Sequence, residues 1–373
     1  EVSNFGGRGP AAVGTYQGLG AFGTYDMAGN VKEWCWNEVG GRRYILGGAW
    51  SEPVYMFGGA DALPPFDRSP TNGLRLITPL GDTAAAEALR VPVERLQRDY
   101  STETPVPDSV FRVYQSLYAY DRTELDARVE AVDDSSPHWR KEKVSFRAAY
   151  GDERVTAYLF LPRTASPPYQ TVIYFTHSGA LAQPSSRTLD TQDIDFFVKS
   201  GRAVLWPIYQ GTYERRLSPS ASGPASYRDR KIQWAKDLGR AIDYLETRAD
   251  IDRDRLAYYG LSLGARVGSL LLAVEPRPKA AVLVAGGFGD TRPLPEVDEI
   301  NFAPHVKTPV LMINGRYDFI FPLETAQRPM FRWLGTPEPH KRHVVSESGH
   351  VAPRLEIIKE SLEWLDRYLG PVK

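Results

Sequence analysis

Ser262 stands at the centre of Gly260-Leu261-Ser262-Leu263-Gly264, between an apolar run, Arg255 to Tyr259, and a run that opens a helix, Ala265 to Leu272. The pattern fits a strand that turns directly into a helix, with the serine at the corner. A turn that sharp strains the serine backbone, and only glycines two before and two after it leave room for strand and helix to pass. The strain aims the hydroxyl out of the strand, at the end of the helix whose dipole favours negative charge. A glycine-rich turn with an incidental serine has the same spelling, so the rest of the chemistry must decide. A serine hydroxyl at its ordinary pKa is a poor nucleophile; it needs a base, and the base needs an acid to orient it.

Both partners can be sought downstream. Thr308 to Asp318 reads as a buried strand, Val310 to Asn314, ending in a turn that carries Asp318. His343 to His350 reads as another strand and a loop ending in His350, followed by a helix with Leu355, Ile358, Leu362, Leu365 and Leu369 three and four apart. Asp318 and His350 thus sit just past the carboxyl ends of strands, where open α/β sheets bind ligands. The competing histidines are worse placed. His138 comes too early, His305 precedes a strand, His340 starts one, His343 lies inside one, and His177 ends an earlier strand. Asp290, after the strand Ala280 to Ala285, is the second candidate for the acid.

The elements that must position these groups alternate in type. Val144–Ala149 and Val155–Leu161 read as a hairpin through Gly151-Asp152, and Thr171–Thr176 and Ala203–Ile208 as apolar strands. From there strands and helices alternate to the C-terminus, which implies right-handed crossovers and a mostly parallel sheet. Phe111, Tyr114 and Tyr118, then Leu125, Val129 and Val132, predict two helical segments ahead of it.

Together the elbow, the order Ser262, Asp318, His350 and the alternating pattern resemble the α/β hydrolases, in which nucleophile, acid and histidine follow in that order. The resemblance implies an oxyanion hole from the Leu263 backbone N–H and a donor in the loop after the third strand, Thr176-His177-Ser178-Gly179-Ala180. The expected donor there is Gly179, with Ser178 as the alternative and His177 bracing the loop; a plain strand-end turn is the other reading. With Asn301-Phe302-Ala303-Pro304, Asn314-Gly315-Arg316-Tyr317-Asp318 and Gly349-His350, the chain resembles the dienelactone-hydrolase and acetyl-xylan-esterase-like branch. That branch often uses a cysteine nucleophile; serine at 262 favours general ester hydrolysis. It also resembles the esterase half of multidomain bacterial proteins that join a kinase, a sulfatase-modifying-factor domain and a hydrolase. A start at Glu1 rather than methionine fits a piece of such a precursor.

Residues 1–80 have another character. Gly23-Thr24-Tyr25-Asp26-Met27-Ala28-Gly29-Asn30-Val31-Lys32-Glu33-Trp34, Gly47-Gly48-Ala49-Trp50 and Asn72-Gly73-Leu74-Arg75 occur in that order. They resemble the C-terminal part of the formylglycine-generating enzyme (sulfatase-modifying factor) family. The oxidase activity of that family needs a cysteine pair, and Cys35 is misplaced and alone. The resemblance implies calcium near Asn30 and Glu33; capping and turn roles explain the same residues. Residues 81–108, with a helix over Ala84–Leu89 and the run Thr102 to Pro107, read as a linker to a hydrolase domain at 109–373.

Composition narrows the rest. In 373 residues, 45 Lys+Arg balance 46 Asp+Glu to a net charge of −1, which gives no basic field for nucleic acid or anionic membrane. No apolar run approaches the ~20 residues of a membrane span. One cysteine makes no internal disulfide and no cysteine metal site, and favours the cytoplasm. The expectation is a cofactor-free serine carboxylesterase for small esters of short to medium acyl chains. A serine peptidase or lactone hydrolase of the same fold, or a non-catalytic interaction module, are the alternatives. Tyr209 and Glu214 in the loop Pro207–Arg216 are candidate pocket residues, a solvated loop being the other reading. Phe288 and the run Phe319-Ile320-Phe321 are candidates for an apolar acyl pocket, with core packing as the alternative. The segment between Ala285 and Pro309 is too short for a helical lid, so cover is expected from residues 1–80 packed on the hydrolase domain, from 109–132 or from 209–227.

Overall fold

The computed structural model describes residues 2–372 apart from 8, 53, 59–60, 78–86, 88–89, 93–97 and 218–221. The helix expected over 84–89 lies, but for Glu87, outside the described residues. The chain forms two compact units, residues 1–97 with 317–320 and residues 98–316 with 321–373.

The first unit carries a small sheet of strands β1 (Lys32–Val39), β2 (Arg42–Leu46), β3 (Asp61–Leu63) and β4 (Asn72–Gly73), in the order β3-β2-β1-β4. β1 turns into β2 through Gly40 and Gly41, both at positive φ (55° and 76°), which glycine alone adopts without strain. A buried ion pair, Lys32 Nζ to Asp61 Oδ2 at 2.8 Å, ties β1 to β3. Asn30 Oδ1 accepts the N–H of Ala11 at 2.7 Å and the side-chain amide of Asn4 at 3.1 Å, while Glu33 pairs with Arg75. Both oxygen-bearing side chains considered for calcium therefore serve a turn and an ion pair. Burial raises the Cys35 thiol above its ordinary pKa.

In the second unit, described residues form a nine-stranded sheet: β5 (Arg128–Asp133), β6 (Trp139–Arg147), β7 (Arg154–Pro162), β8 (Tyr169–Phe175), β9 (Ala203–Pro207), β10 (Ile251–Leu261), β11 (Ala280–Val284), β12 (Val310–Gly315) and β13 (Lys341–Ser346). The order is β13-β12-β11-β10-β8-β9-β7-β6-β5. β9 through β13 and β8 run parallel; β5, β6 and β7 add an antiparallel edge. The chain leaves β8 for β9 on one side and returns to β10 on the other. This places the switch point of the topology, and hence a crevice, at the carboxyl ends of β8 and β10.

Around the sheet pack α1 (Asp108–Ser116), α2 (Asp195–Lys199), α3 (Gly223–Glu246), α4 (Leu263–Val274), α5 (Arg328–Trp333) and α6 (Arg354–Leu369). Successive strand residues face opposite layers. Ile173, Phe175, Tyr258 and Leu283 join Trp234 and Leu238 of α3 and Leu270 of α4. Val172, Tyr174, Tyr259 and Val282 join Phe197 of α2 and Trp364 and Leu365 of α6. Because both faces are covered, the central strands read as continuous apolar runs.

Two segments differ from expectation. Leu125, Val129 and Val132 have helical spacing, yet 128–133 is an edge strand paired antiparallel with β6, and Val129 and Val132 are exposed. β-branched residues suit that pleated edge, and pairing overrides a weak periodicity. The segment from 98, expected within a linker, packs on the second unit. Tyr100 is buried against Phe288, with ring centroids 4.8 Å apart, and donates to the Gly289 carbonyl at 2.6 Å. Arg98 pairs with Glu103 at 2.5 Å and Asp298 at 2.7 Å. Between β11 and β12 the described chain makes only short turns, Pro295–Val297, Glu299–Asn301 and Ala303–His305. No described helix is long and apolar enough to cross a membrane.

Candidate active site

Ser262 caps α4 directly after β10, at φ 52° and ψ −101°. A non-glycine residue at positive φ persists only where its surroundings impose it. Here the Ser262 N–H donates to the Val284 carbonyl on β11 at 2.8 Å, and the Gly264 N–H donates to the Thr176 carbonyl beyond β8 at 3.2 Å. A Cβ on Gly260 would lie 2.5 Å from the Gly264 carbonyl carbon, and one on Gly264 2.8 Å from the Phe175 carbonyl carbon. The two glycines are therefore steric requirements of the corner. One turn into α4, Arg266 Nε donates to Glu299 Oε1 at 3.0 Å, which also takes Lys231 Nζ at 2.6 Å. Burial alone would raise the Glu299 carboxyl; Arg266 and Lys231 overcome it and hold it at about 2. This buried cluster anchors the corner. Sequence reasoning missed it because its members lie far apart in the chain and carry no motif.

His350 Nε2 lies 2.9 Å from Ser262 Oγ. Ser262, His350 and Asp318 are 5 %, 2 % and 3 % exposed, so bulk water does not compete for their hydrogen bonds. The loop that carries His350 lies against the end of β12. Gly315 pairs with Ser346, the Arg316 N–H donates to the Ser346 carbonyl at 2.8 Å, and a Cβ on Gly315 would collide with the Gly349 carbonyl. The Phe321 ring lies 5.9 Å from the imidazole. Asp318 follows β12 by three residues, and its Oδ1 accepts the Ile320 N–H at 2.8 Å. Asp290, the other candidate acid, is exposed.

The two expected oxyanion donors stand differently. Leu263 is the first residue of α4, so its N–H has no acceptor within the helix. The Gly179 N–H donates to Nδ1 of His177 at 3.1 Å. In this conformation that amide is occupied by the ring; Ser178, the alternative, is the first residue of the turn Ser178–Leu181. His177 does brace the loop, through its own ring.

The candidate pocket residues each have packing or hydrogen-bonding partners of their own. Tyr209 is fully buried and stacked on Phe175, ring centroids 3.9 Å apart. Glu214 accepts from Ser186 through both its N–H (2.8 Å) and its hydroxyl (2.6 Å), so the carboxylate braces two loops. Phe288 belongs to the core beside Tyr100, and Phe319 is buried. The remaining histidines have other places. His343 Nε2 faces Asn314 Oδ1 at 3.2 Å, His305 stacks on Phe111, His340 Nδ1 meets the Tyr368 hydroxyl at 3.0 Å, and His138 is exposed.

Comparison with known proteins also finds two parts in the chain. Residues 6–80 match the model of the sulfatase-modifying factor enzyme 1-like domain, and residues 155–350, more than half of the chain, match that of the dienelactone hydrolase family. An uncharacterized protein of Mycobacterium tuberculosis is 31 % identical over 187 residues, 45 % of this chain and 60 % of that protein. The chain thus spans less than two thirds of the curated relatives it matches. Among solved structures, the acetyl xylan esterase from Paenibacillus sp. R4 superposes with a TM-score of 0.57 at 20 % identity, over 72 % of this chain and 98 % of its own. Acetyl xylan esterase 1 from Thermoanaerobacterium gives 0.58 at 16 % identity, over 71 % and 96 %. At these identities the likeness shows the fold, that of an α/β hydrolase.

Proposed function

Because the chain belongs to the dienelactone hydrolase family, we propose that its second unit is a serine hydrolase that cleaves carboxylic esters through an acyl-enzyme on Ser262. The observation that carries the proposal is the 2.9 Å contact between His350 Nε2 and a Ser262 hydroxyl held at a strained corner, both buried. In this reading Ser262 Oγ attacks the ester carbonyl carbon while His350 Nε2 takes its proton. The carbonyl oxygen becomes an oxyanion, met by the N–H groups of Leu263 and Ser178 at the positive end of α4. The intermediate then collapses, the C–O bond to the alcohol breaks, and His350 returns the proton to the departing oxygen. Water repeats the sequence on the acyl-enzyme, releasing the acid and restoring Ser262. Asp318 is the acid that holds His350 in the tautomer with Nε2 free to accept.

Serine in place of the cysteine common in the branch favours ordinary esters, and the apolar Phe321 beside the imidazole favours short to medium acyl chains over charged ones. A panel of p-nitrophenyl esters from acetate to octanoate, set against amino-acid p-nitroanilides, tests the reading. Ester turnover that falls with chain length and exceeds anilide turnover at least a hundredfold is expected. Anilide turnover equal to or above ester turnover would favour a peptidase and overturn it.

A further inference from the structure

We propose that His177 is a positioning residue: its neutral ring holds the turn that presents the Ser178 amide to the oxyanion, and a proton on the ring releases that turn. The proposal rests on the ester-hydrolase reading of Ser262.

The turn is tied down at both ends. The Thr176 carbonyl accepts the Gly264 N–H at 3.2 Å, and the Ala180 carbonyl accepts the Tyr213 N–H at 3.0 Å. Between these anchors the turn is closed by the Ala180 N–H on the His177 carbonyl at 3.2 Å and by the His177 side chain. Its Nδ1 accepts the Gly179 N–H at 3.1 Å. A Cβ on Gly179 would lie 2.6 Å from Cε1 and 2.7 Å from Nδ1 of the same ring, so the imidazole lies directly against that backbone. With the Gly179 amide taken, the donor is assigned to its neighbour Ser178. A bond accepted by Nδ1 requires a neutral ring with its hydrogen on Nε2. Protonating Nδ1 would set two donors face to face and break the bond.

The charged surroundings oppose one another. Burial lowers the His177 pKa from its ordinary value, Asp193 and Asp190 from the turn after Leu189 raise it, and His350 lowers it again, with a net lowering. Asp193 is itself half-buried and accepts the Tyr174 hydroxyl at 2.9 Å. The ring is therefore neutral at pH 7, and the turn opens only on the acid side. There two imidazoles must both stay neutral, His350 to take the serine proton and His177 to hold the turn.

His177→Asn keeps a side-chain acceptor near the place of Nδ1 but cannot titrate; His177→Ala removes the acceptor. Values of kcat and KM for p-nitrophenyl acetate are measured from pH 5 to 8 for both variants and the unaltered protein. The Ala variant is expected to lose about 100-fold in kcat, the scale of one oxyanion donor, with KM nearly unchanged. The Asn variant should recover at least tenfold of that loss, and its acid limb should follow one proton where the unaltered protein follows two. An Asn variant as slow as the Ala variant, or an acid limb unchanged in Asn, overturns the proposal. The hydrogen bond is read separately, without turnover, in ¹⁵N-glycine-labelled unaltered protein. The Gly179 amide resonance should shift upfield on acidification, as its bond to Nδ1 breaks. A Gly179 amide indifferent to pH overturns the proposal whatever the variants do. An unaltered protein that turns over no ester but shows the Gly179 transition would instead count against the ester-hydrolase reading.

Discussion

Gly264→Ala probes how tightly the nucleophile corner is held. The new methyl would enter the space of the Phe175 carbonyl, with that carbon 2.8 Å and the Phe175 Cβ 2.9 Å away. Carbon atoms at contact stand about 3.5–4.0 Å apart, so a relief of about 1 Å is needed. Phe175 cannot supply it, because it is strand backbone paired with Gly260 of β10. The corner must withdraw instead, stretching the Gly264 N–H bond to the Thr176 carbonyl and moving Ser262 Oγ relative to His350 Nε2. A misplacement of about 1 Å costs on the order of 100-fold in rate. Overpacking of this kind costs about 1–3 kcal/mol of stability, and for a domain of this size each kcal/mol lowers Tm by about 2–4 °C. The assay is kcat for p-nitrophenyl acetate beside thermal unfolding. We expect a loss of about 100-fold in kcat and a fall of several degrees in Tm. Gly349→Ala, where a Cβ meets nothing within 4 Å, should leave Tm within about 1 °C. A Gly264→Ala protein within threefold of the unaltered kcat would refute the steric account of the corner.

Other perturbations have defined outcomes. Asp318→Asn should lose on the order of 10⁴ in kcat, whereas Asp290→Asn should stay within a few-fold; the reverse order would assign the acid to Asp290. Burial first, and Arg328 second, lower the His343 imidazole from 6.5 to about 4. The unfolded chain therefore takes up a proton that the folded chain refuses between those values. Stability is complete above about pH 6.5 and falls by up to ~3 kcal/mol as pH drops towards 4. In His343→Gln the acid-side fall of Tm should be shallower, and an unchanged slope would contradict this. Deletion of residues 1–97 is expected to reduce solubility or change acyl-chain preference. A soluble truncation with unchanged kinetics and Tm would make the first unit a tethered passenger.

What the sequence disclosed followed the range of the forces involved. Ser262 and His350 were legible because the corner is local: two glycines, an apolar run before and a helix after leave few ways to turn. The five parallel strands β8 to β12 were legible because both of their faces are covered, which leaves little polar residue in them. Where packing decides, the pattern misled. Val129 and Val132 keep helical spacing but pair as an edge strand. Tyr209 and Phe288 follow strand ends, and Phe175 and Tyr100, distant in sequence, pack against them. The segment from 98 to 107 looks like a linker because its anchors, Gly289 and Asp298, lie almost 200 residues further on. The amide of Gly179, the donor expected from the pattern of the turn, is accepted by a histidine two residues away. No spacing rule encodes that choice; the rotamer of one ring does.

The central claim is that Ser262 is the nucleophile, activated by His350. Its most direct test is covalent trapping with a fluorophosphonate, read by intact mass and by peptide mapping, on the unaltered protein, Ser262→Ala and His350→Ala. The account predicts a single adduct on Ser262, none in Ser262→Ala, and a rate of labelling lowered at least 100-fold in His350→Ala. Adduct formation in Ser262→Ala at the unaltered rate, or labelling at another residue with Ser262 left unmodified, would contradict it.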